Sequence, residues 1–129
     1  MSPEAALTRA RRLGKTVAYP AFGEDEDIFR FRAGEPAMPG PHRIPQPGPD
    51  AEEVVPDLVL VPLVAVGHDG WRIGQGKGHF DRVLPGYENA RIVGIGWSMQ
   101  RLQREIPHDG HDVPLDMFVC PQQLETFER

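Results

Sequence analysis

Apolar residues in this chain fall into short runs cut by glycine and proline, and the period of the runs changes along the sequence. Ser2-Pro3-Glu4 offers a hydroxyl cap with proline in the first turn. Ala6, Leu7, Ala10 and Leu13 then follow at helical spacing and Gly14 stands where helices end, so a helix is expected over this stretch. Lys15 to Ala18 reads as a short strand stopped by Pro20, Glu24 to Asp27 as a solvated acidic loop, and Ile28 to Arg32, alternating apolar and basic, as an exposed strand. Leu58 to Val66 is continuously apolar, as a strand covered on both faces requires, and is expected to be the central strand. After a turn at Gly67-His-Asp-Gly70 come a return strand over Trp71 to Ile73 and a helix from Phe80 to Leu84, cut by Pro85 and Gly86. Arg91 to Trp97 gives a further strand, Gln100 to Glu105 a turn of helix, Val113 to Cys120 the last strand, and Gln122 to Arg129 a short helix or tail.

Strands interleaved with helices predict an α/β fold: one domain over residues 1–129, a mostly parallel twisted sheet with helices on both faces, and ligands at the carboxyl ends of the strands. Composition modifies that picture at one place. Proline makes up 14 of the 129 residues and is concentrated between Pro36 and Pro62, so residues 36–56 are expected to form a rigid, extended segment within the domain. The net charge of −5 argues against a nucleic-acid or anionic-membrane surface, and any anionic substrate must then meet local cations. Cys120 is the one cysteine, which permits no internal disulfide and is expected to be a small buried hydrophobe. With no basic-then-apolar leader and no run near the ~20 apolar residues of a membrane span, the chain is expected to be cytoplasmic.

The chemistry concentrates in Ile73 to Asp81, which reads Ile-Gly-Gln-Gly-Lys-Gly-His-Phe-Asp. Gly74, Gly76 and Gly78 carry no Cβ, so the backbone can turn several N–H groups toward one anion, and Lys77 adds a cation. Asp81 stands where a divalent metal on that phosphate could be held, because hard cations take carboxylate oxygens. The spacing matches neither the P-loop nor the dinucleotide fingerprint. On spacing alone a phosphate cradle and a glycine-rich turn with a solvated lysine both remain open.

Five ordered segments carry a resemblance: Gly14-Lys-Thr-Val-Ala-Tyr-Pro20, Arg43-Ile-Pro-Gln-Pro47, the apolar run from Pro56 to Val66, Gly70 to Leu84 around the glycine loop, and Asp112-Val-Pro-Leu-Asp116. Together they resemble the 5-formyltetrahydrofolate cyclo-ligase family, also called methenyltetrahydrofolate synthetase. The resemblance implies an enzyme that uses ATP and Mg²⁺ to convert 5-formyltetrahydrofolate to 5,10-methenyltetrahydrofolate, releasing ADP and phosphate. It implies that the formyl oxygen attacks the γ-phosphate and that N10 of the folate captures the activated carbon, chemistry that asks for positioning and charge stabilisation rather than a protein nucleophile.

By the same resemblance Gly74, Gln75, Gly76, Lys77, Gly78, His79, Phe80 and Asp81 form the nucleotide loop, with Lys77 and Arg72 in catalytic roles. Asp81, Asp112 and Asp116 are the candidate metal carboxylates; for Asp112 and Asp116 a strand-entry turn is the other reading. Phe80, Pro45, Gln46 and Trp97 are assigned to the reduced folate. His79-Phe80 replaces the family's usual aromatic pair, and Gln46 stands where a glutamate is usual. The resemblance further implies a basic segment ahead of Gly14-Lys15 that reaches ATP, and none of Arg9, Arg11, Arg12 or Lys15 matches it by motif. Without such a segment Ala6, Leu7 and Ala10 would present apolar surface, which favours a homo-oligomer. Two classes of function therefore stand: an ATP-dependent cyclo-ligase, or a truncated, catalytically impaired relative that binds nucleotide or folate. A different phosphate-handling enzyme on the same scaffold is the third option.

Overall fold

A computed structural model describes residues 4–23, 28–73, 79–108 and 112–127. The chain is a single α/β domain with mixed sheets and few helices, and its contacts cluster into two compact units, residues 2–56 and residues 57–129. The first unit begins with helix α1, Glu4–Arg12. Gly14 ends it as expected, with φ of 77°, and the Lys15 N–H donates to the Ala10 carbonyl while the Gly14 N–H donates to that of Arg11. That pairing satisfies carbonyls the last turn would otherwise leave open, and the positive φ is why glycine stands there.

Strand β1 spans Ala18–Phe22, β2 Phe29–Ala33 and β3 Glu52–Glu53, joined antiparallel in the order β1-β2-β3. Pro20 does not stop β1 but sits inside it opposite Phe31. An edge strand tolerates proline because one side of its backbone has no partner to lose. The alternation of β2 buries Phe29 and Phe31, and Phe22, Phe29 and Phe31 meet edge to face with ring centroids 5.5 and 5.3 Å apart. Beyond β2 the proline-rich path reverses. Met38 and Gln46 pair through both backbone hydrogen bonds, around a 3-10 turn at Pro41–Arg43 in which His42 and Arg43 have φ of 59° and 60°.

In the second unit the order is β4 Leu58–Pro62, β5 Ala65–Val66, β6 Arg72–Ile73, α2 His79–Val83, β7 Arg91–Ile95, β8 Met117–Cys120 and β9 Gln123–Thr126. A 3-10 turn over Leu84–Tyr87 follows α2, where Pro85 and Gly86 were expected to end the helix. The main sheet runs β4-β7-β8-β9, parallel across its first two pairings and antiparallel at the last, while β5 and β6 form a separate antiparallel pair. Val59, Val61, Leu63, Leu84, Ile92, Val93, Leu115, Phe118 and the free Cys120 are buried and make up the core of this unit. Each large apolar side chain buried there contributes about 1.5–3 kcal/mol.

Five expectations change. The sheets are mixed rather than mostly parallel: the short connections from β1 to β2, β5 to β6 and β8 to β9 allow only antiparallel pairing, since a parallel pair needs a crossover of about a dozen residues or more, while the long connections from β4 to β7 and from β7 to β8 carry the parallel pairs. The helices on both faces reduce, among the described residues, to α1, α2 and three 3-10 turns. The apolar run from Leu58 breaks at Leu63 and Val64, whose carbonyls accept hydrogen bonds from Gln100 Nε2 at 2.9 and 3.2 Å, and β4 lies at the edge of its sheet with β7 inside. Gln100 to Glu105 is not helical beyond a 3-10 turn at Ser98–Gln100, and residues 123–126 form β9 against β8 where a short helix or a tail was expected. No helix among the described residues is long and apolar enough to cross a membrane.

Candidate functional site

β6 ends at Ile73 and α2 begins at His79, so these two short elements flank the glycine segment. Gly74, Gln75, Gly76, Lys77 and Gly78 lie outside the described residues, as does the side chain of His79. The two flanks meet directly. Arg72 Nη2 donates to Asp81 Oδ1 at 3.0 Å, with the Arg72 side chain 4% exposed and that of Asp81 25%. The same Oδ1 accepts the Val113 N–H at 3.2 Å, which brings in the start of the Asp112-to-Asp116 segment. The Arg72 guanidinium is thus held out of water with Asp81 as its counter-charge, which offsets part of the desolvation penalty.

The pair is incomplete in one respect. Arg72 Nε is buried without a hydrogen-bond partner among the described residues, and Asp81 Oδ2 accepts no hydrogen bond from them. A buried N–H left unpaired costs about 1–3 kcal/mol, so an arrangement that keeps one points to a group that completes it. Asp81 therefore suits one contact to a cation, through Oδ2, with Oδ1 already committed.

The other assigned residues divide. Asp112 is half-buried beside Val113, and Phe80 is half-buried in the first turn of α2. Asp116 is committed elsewhere: its Oδ2 accepts the Ile92 N–H at 2.7 Å and its own N–H donates to the Ile92 carbonyl, extending the β7–β8 ladder by one step. Among the described residues no group of three or more His, Cys, Asp or Glu side chains converges as a metal cage. Trp97, 48% exposed and two residues past β7, donates its backbone N–H to Gln100 Oε1. In the first unit Pro45 is exposed, and Gln46 binds both backbone groups of Phe22, accepting the N–H at 3.0 Å and donating to the carbonyl at 3.2 Å. Glutamate could make only the first of those bonds.

Three features carry no signal in the sequence. The Val113 N–H is a backbone group that any residue but proline supplies. Trp71 and His108 stack with ring centroids 3.5 Å apart and 5° between planes. Arg101 grips Glu125 through Nε and Nη2, at 2.6 and 2.8 Å, and reaches the Leu102 carbonyl with Nη1. The hydrogen bond from Arg101 holds the Glu125 carboxyl below its ordinary range, against burial that pulls it up, and Glu125 in turn raises the guanidinium.

The model of the 5-formyltetrahydrofolate cyclo-ligase family matches residues 3–121. The 5-formyltetrahydrofolate cyclo-ligase of Escherichia coli (strain K12) is 30% identical over 87 residues, covering 64% of this chain and 48% of that protein. The Saccharomyces cerevisiae protein of the same name is 34% identical over 89 residues, covering 63% and 42%. The chain thus spans about half the length of the curated relatives it matches. Among solved structures, the Aquifex aeolicus 5,10-methenyltetrahydrofolate synthetase superposes with a TM-score of 0.78 at 25% identity, over 100% of this chain and 66% of that one. The 5,10-methenyltetrahydrofolate synthetase from Mycoplasma pneumoniae shares the fold, with a TM-score of 0.65 at 23% identity over 87% and 60%. A family model that spans nearly all of the sequence, with relatives that agree in both sequence and fold, establishes that the chain belongs to the 5-formyltetrahydrofolate cyclo-ligase family.

Proposed function

We propose that this chain acts in the ATP- and Mg²⁺-dependent conversion of 5-formyltetrahydrofolate to 5,10-methenyltetrahydrofolate, with release of ADP and phosphate. The observation that carries the reading is the buried Arg72–Asp81 pair, which flanks Gly74 to Gly78 and keeps one guanidinium N–H without a partner among the described residues. Such a pair supports phosphate recognition, because a guanidinium already fixed by a carboxylate donates its remaining N–H groups in a preset direction. Lys77 and the glycine amides are assigned to the phosphates on sequence grounds, Asp81 to Mg²⁺ through Oδ2, and Asp112, which precedes Val113, to the metal's waters. The cation would neutralise charge that develops as the phosphoryl group moves. Asp116, tied to Ile92, acts as a ladder residue in this reading and leaves the metal to Asp81.

The reading is tested by absorbance at the methenyl product's band with 5-formyltetrahydrofolate, ATP and Mg²⁺, alongside calorimetric titration with ATP. Product formation that Lys77→Ala abolishes, with an unchanged fold, is the expected result. A well-folded sample that binds ATP or folate without turnover would instead be a binding module, and ATP affinity unchanged in Lys77→Ala would remove the phosphate role.

A further inference from the structure

Leu63 and Val64 separate β4 from β5, and the peptide that joins these two residues is bonded on both sides. Its carbonyl, that of Leu63, accepts Gln100 Nε2 at 2.9 Å, and its N–H, that of Val64, donates to the Ile73 carbonyl at 2.7 Å. A second bond from the same Nε2 reaches the Val64 carbonyl at 3.2 Å. Through Oε1 the Gln100 amide accepts the Trp97 backbone N–H at 2.6 Å. Gly96 leaves room for that amide: a Cβ there would lie 2.5 Å from Oε1 and 3.1 Å from Cδ. Two residues on, the Leu102 N–H donates to the Val66 carbonyl at 2.8 Å, so β5 is held by residues 100–102 as well as by β6.

We propose that Gln100 is a positioning residue for β6, the two-residue strand that carries Arg72 and leads into the glycine segment, an inference that rests on Arg72 serving the nucleotide side of the site. A peptide unit is planar, so a donor on its carbonyl fixes the direction of its N–H as well and polarises that N–H toward its own acceptor. Gln100 thereby sets where the Ile73 carbonyl is held, one residue from the buried Arg72. Packing holds one end of the peptide only. Leu63 is buried, but Val64 is 50% exposed, which leaves the rotation of the unit between them to its hydrogen bonds. The β5–β6 pairing spans two residues on each strand and is marginal by itself, so its place depends on what grips β5.

The test combines amide hydrogen exchange by NMR with calorimetric titration of Mg²⁺–ATP, on the wild type, Gln100→Met, Gln100→Glu and Arg72→Met. In Gln100→Met the Val64 amide is expected to exchange about three- to tenfold faster, which is what one net hydrogen bond supplies, and Mg²⁺–ATP affinity to fall by a similar factor. The Asp116 amide, bonded to the Ile92 carbonyl at the other end of β7, should not change. Gln100→Glu keeps an acceptor for the Trp97 N–H but, when ionised, has no donor for the two carbonyls. It should leave the Trp97 amide protected and reproduce the effects on Val64 and on affinity. Wild-type affinity in Gln100→Glu would confine Gln100 to capping the 3-10 turn and overturn the proposal, as would an unaltered Val64 amide in Gln100→Met. Asp116 exchanging faster to the same degree as Val64 also overturns it, since the loss would then be one of general stability. Affinity unchanged in Arg72→Met, with Val64 still responding to Gln100→Met, would instead remove the nucleotide role of Arg72, and the inference would fall with it.

Discussion

Two arginine–carboxylate pairs lie in the same unit and are built differently. Arg101 is saturated on its inner side: Nε and Nη2 fork onto Glu125, Nη1 reaches the Leu102 carbonyl, and both side chains are largely covered. Arg72 is more deeply buried yet makes one hydrogen bond to Asp81 and leaves Nε unpaired among the described residues. A pair built only to brace a fold has no reason to keep a buried donor open, because that donor carries a desolvation cost with no return in stability. The saturated pair ties Arg101, beside β5, to β9; the open pair stands at the two ends of the glycine segment.

The largest stability change should therefore come from Arg101→Met rather than from the more buried arginine. It removes four hydrogen bonds, counting the second, longer one from Nε to Glu125 Oε2, and strands a partly buried carboxylate, a loss of about 3 kcal/mol by urea unfolding. The pH profile sharpens this. Glu125 has its folded value depressed below 4.5, so its contribution is fully present above that value and is lost as pH falls through the folded one. Wild type should lose stability on that acid side, and Arg101→Met should lose less there. Equal acid sensitivity of the two proteins would show that Glu125 gains nothing from Arg101.

Arg72→Met comes next, at about 1–2 kcal/mol, because the lost ion pair is partly offset by removal of the unpaired Nε–H. Its effect on Mg²⁺–ATP should exceed its effect on folding: affinity about tenfold weaker or worse by calorimetry, with Arg101→Met near wild type once corrected for stability. If the two variants lower affinity alike, the open pair is no more a ligand group than the closed one.

Much of this layout was legible in the sequence where punctuation is local. Gly14 ended α1, Pro85 and Gly86 ended the helix after Asp81, and the run from Arg91 became β7. Arg72 and Asp81 were singled out as neighbours of the loop, and the fold pairs them. What escaped was decided by groups distant in sequence. Nothing within Leu58 to Val66 announces its break, because the side chain that takes the carbonyls of Leu63 and Val64 arrives at Gln100. Gln123 to Thr126 lacks the apolar alternation of a strand and is one because β8 offers an edge. Asp116 and Gln46 look like ligand groups by type, yet both bind backbone, a use that side-chain identity does not encode.

The smallest effect belongs to the exposed pair Arg30–Glu53, which sets the zero of the comparison. Its distance, 2.9 Å, is slightly shorter than that of Arg72–Asp81, so distance alone would rank the two together. Exposure separates them: the side chains are 68% and 44% exposed, water already solvates both charges, and holding two long side chains in register costs rotamer freedom. Glu53→Gln should then shift unfolding by less than ~0.5 kcal/mol, with that shift shrinking further as salt is raised. A change as large as that of Arg72→Met would mean that pairing geometry rather than burial decides what an ion pair contributes here. In that case the contrast between the closed and open pairs could no longer be read from their surroundings.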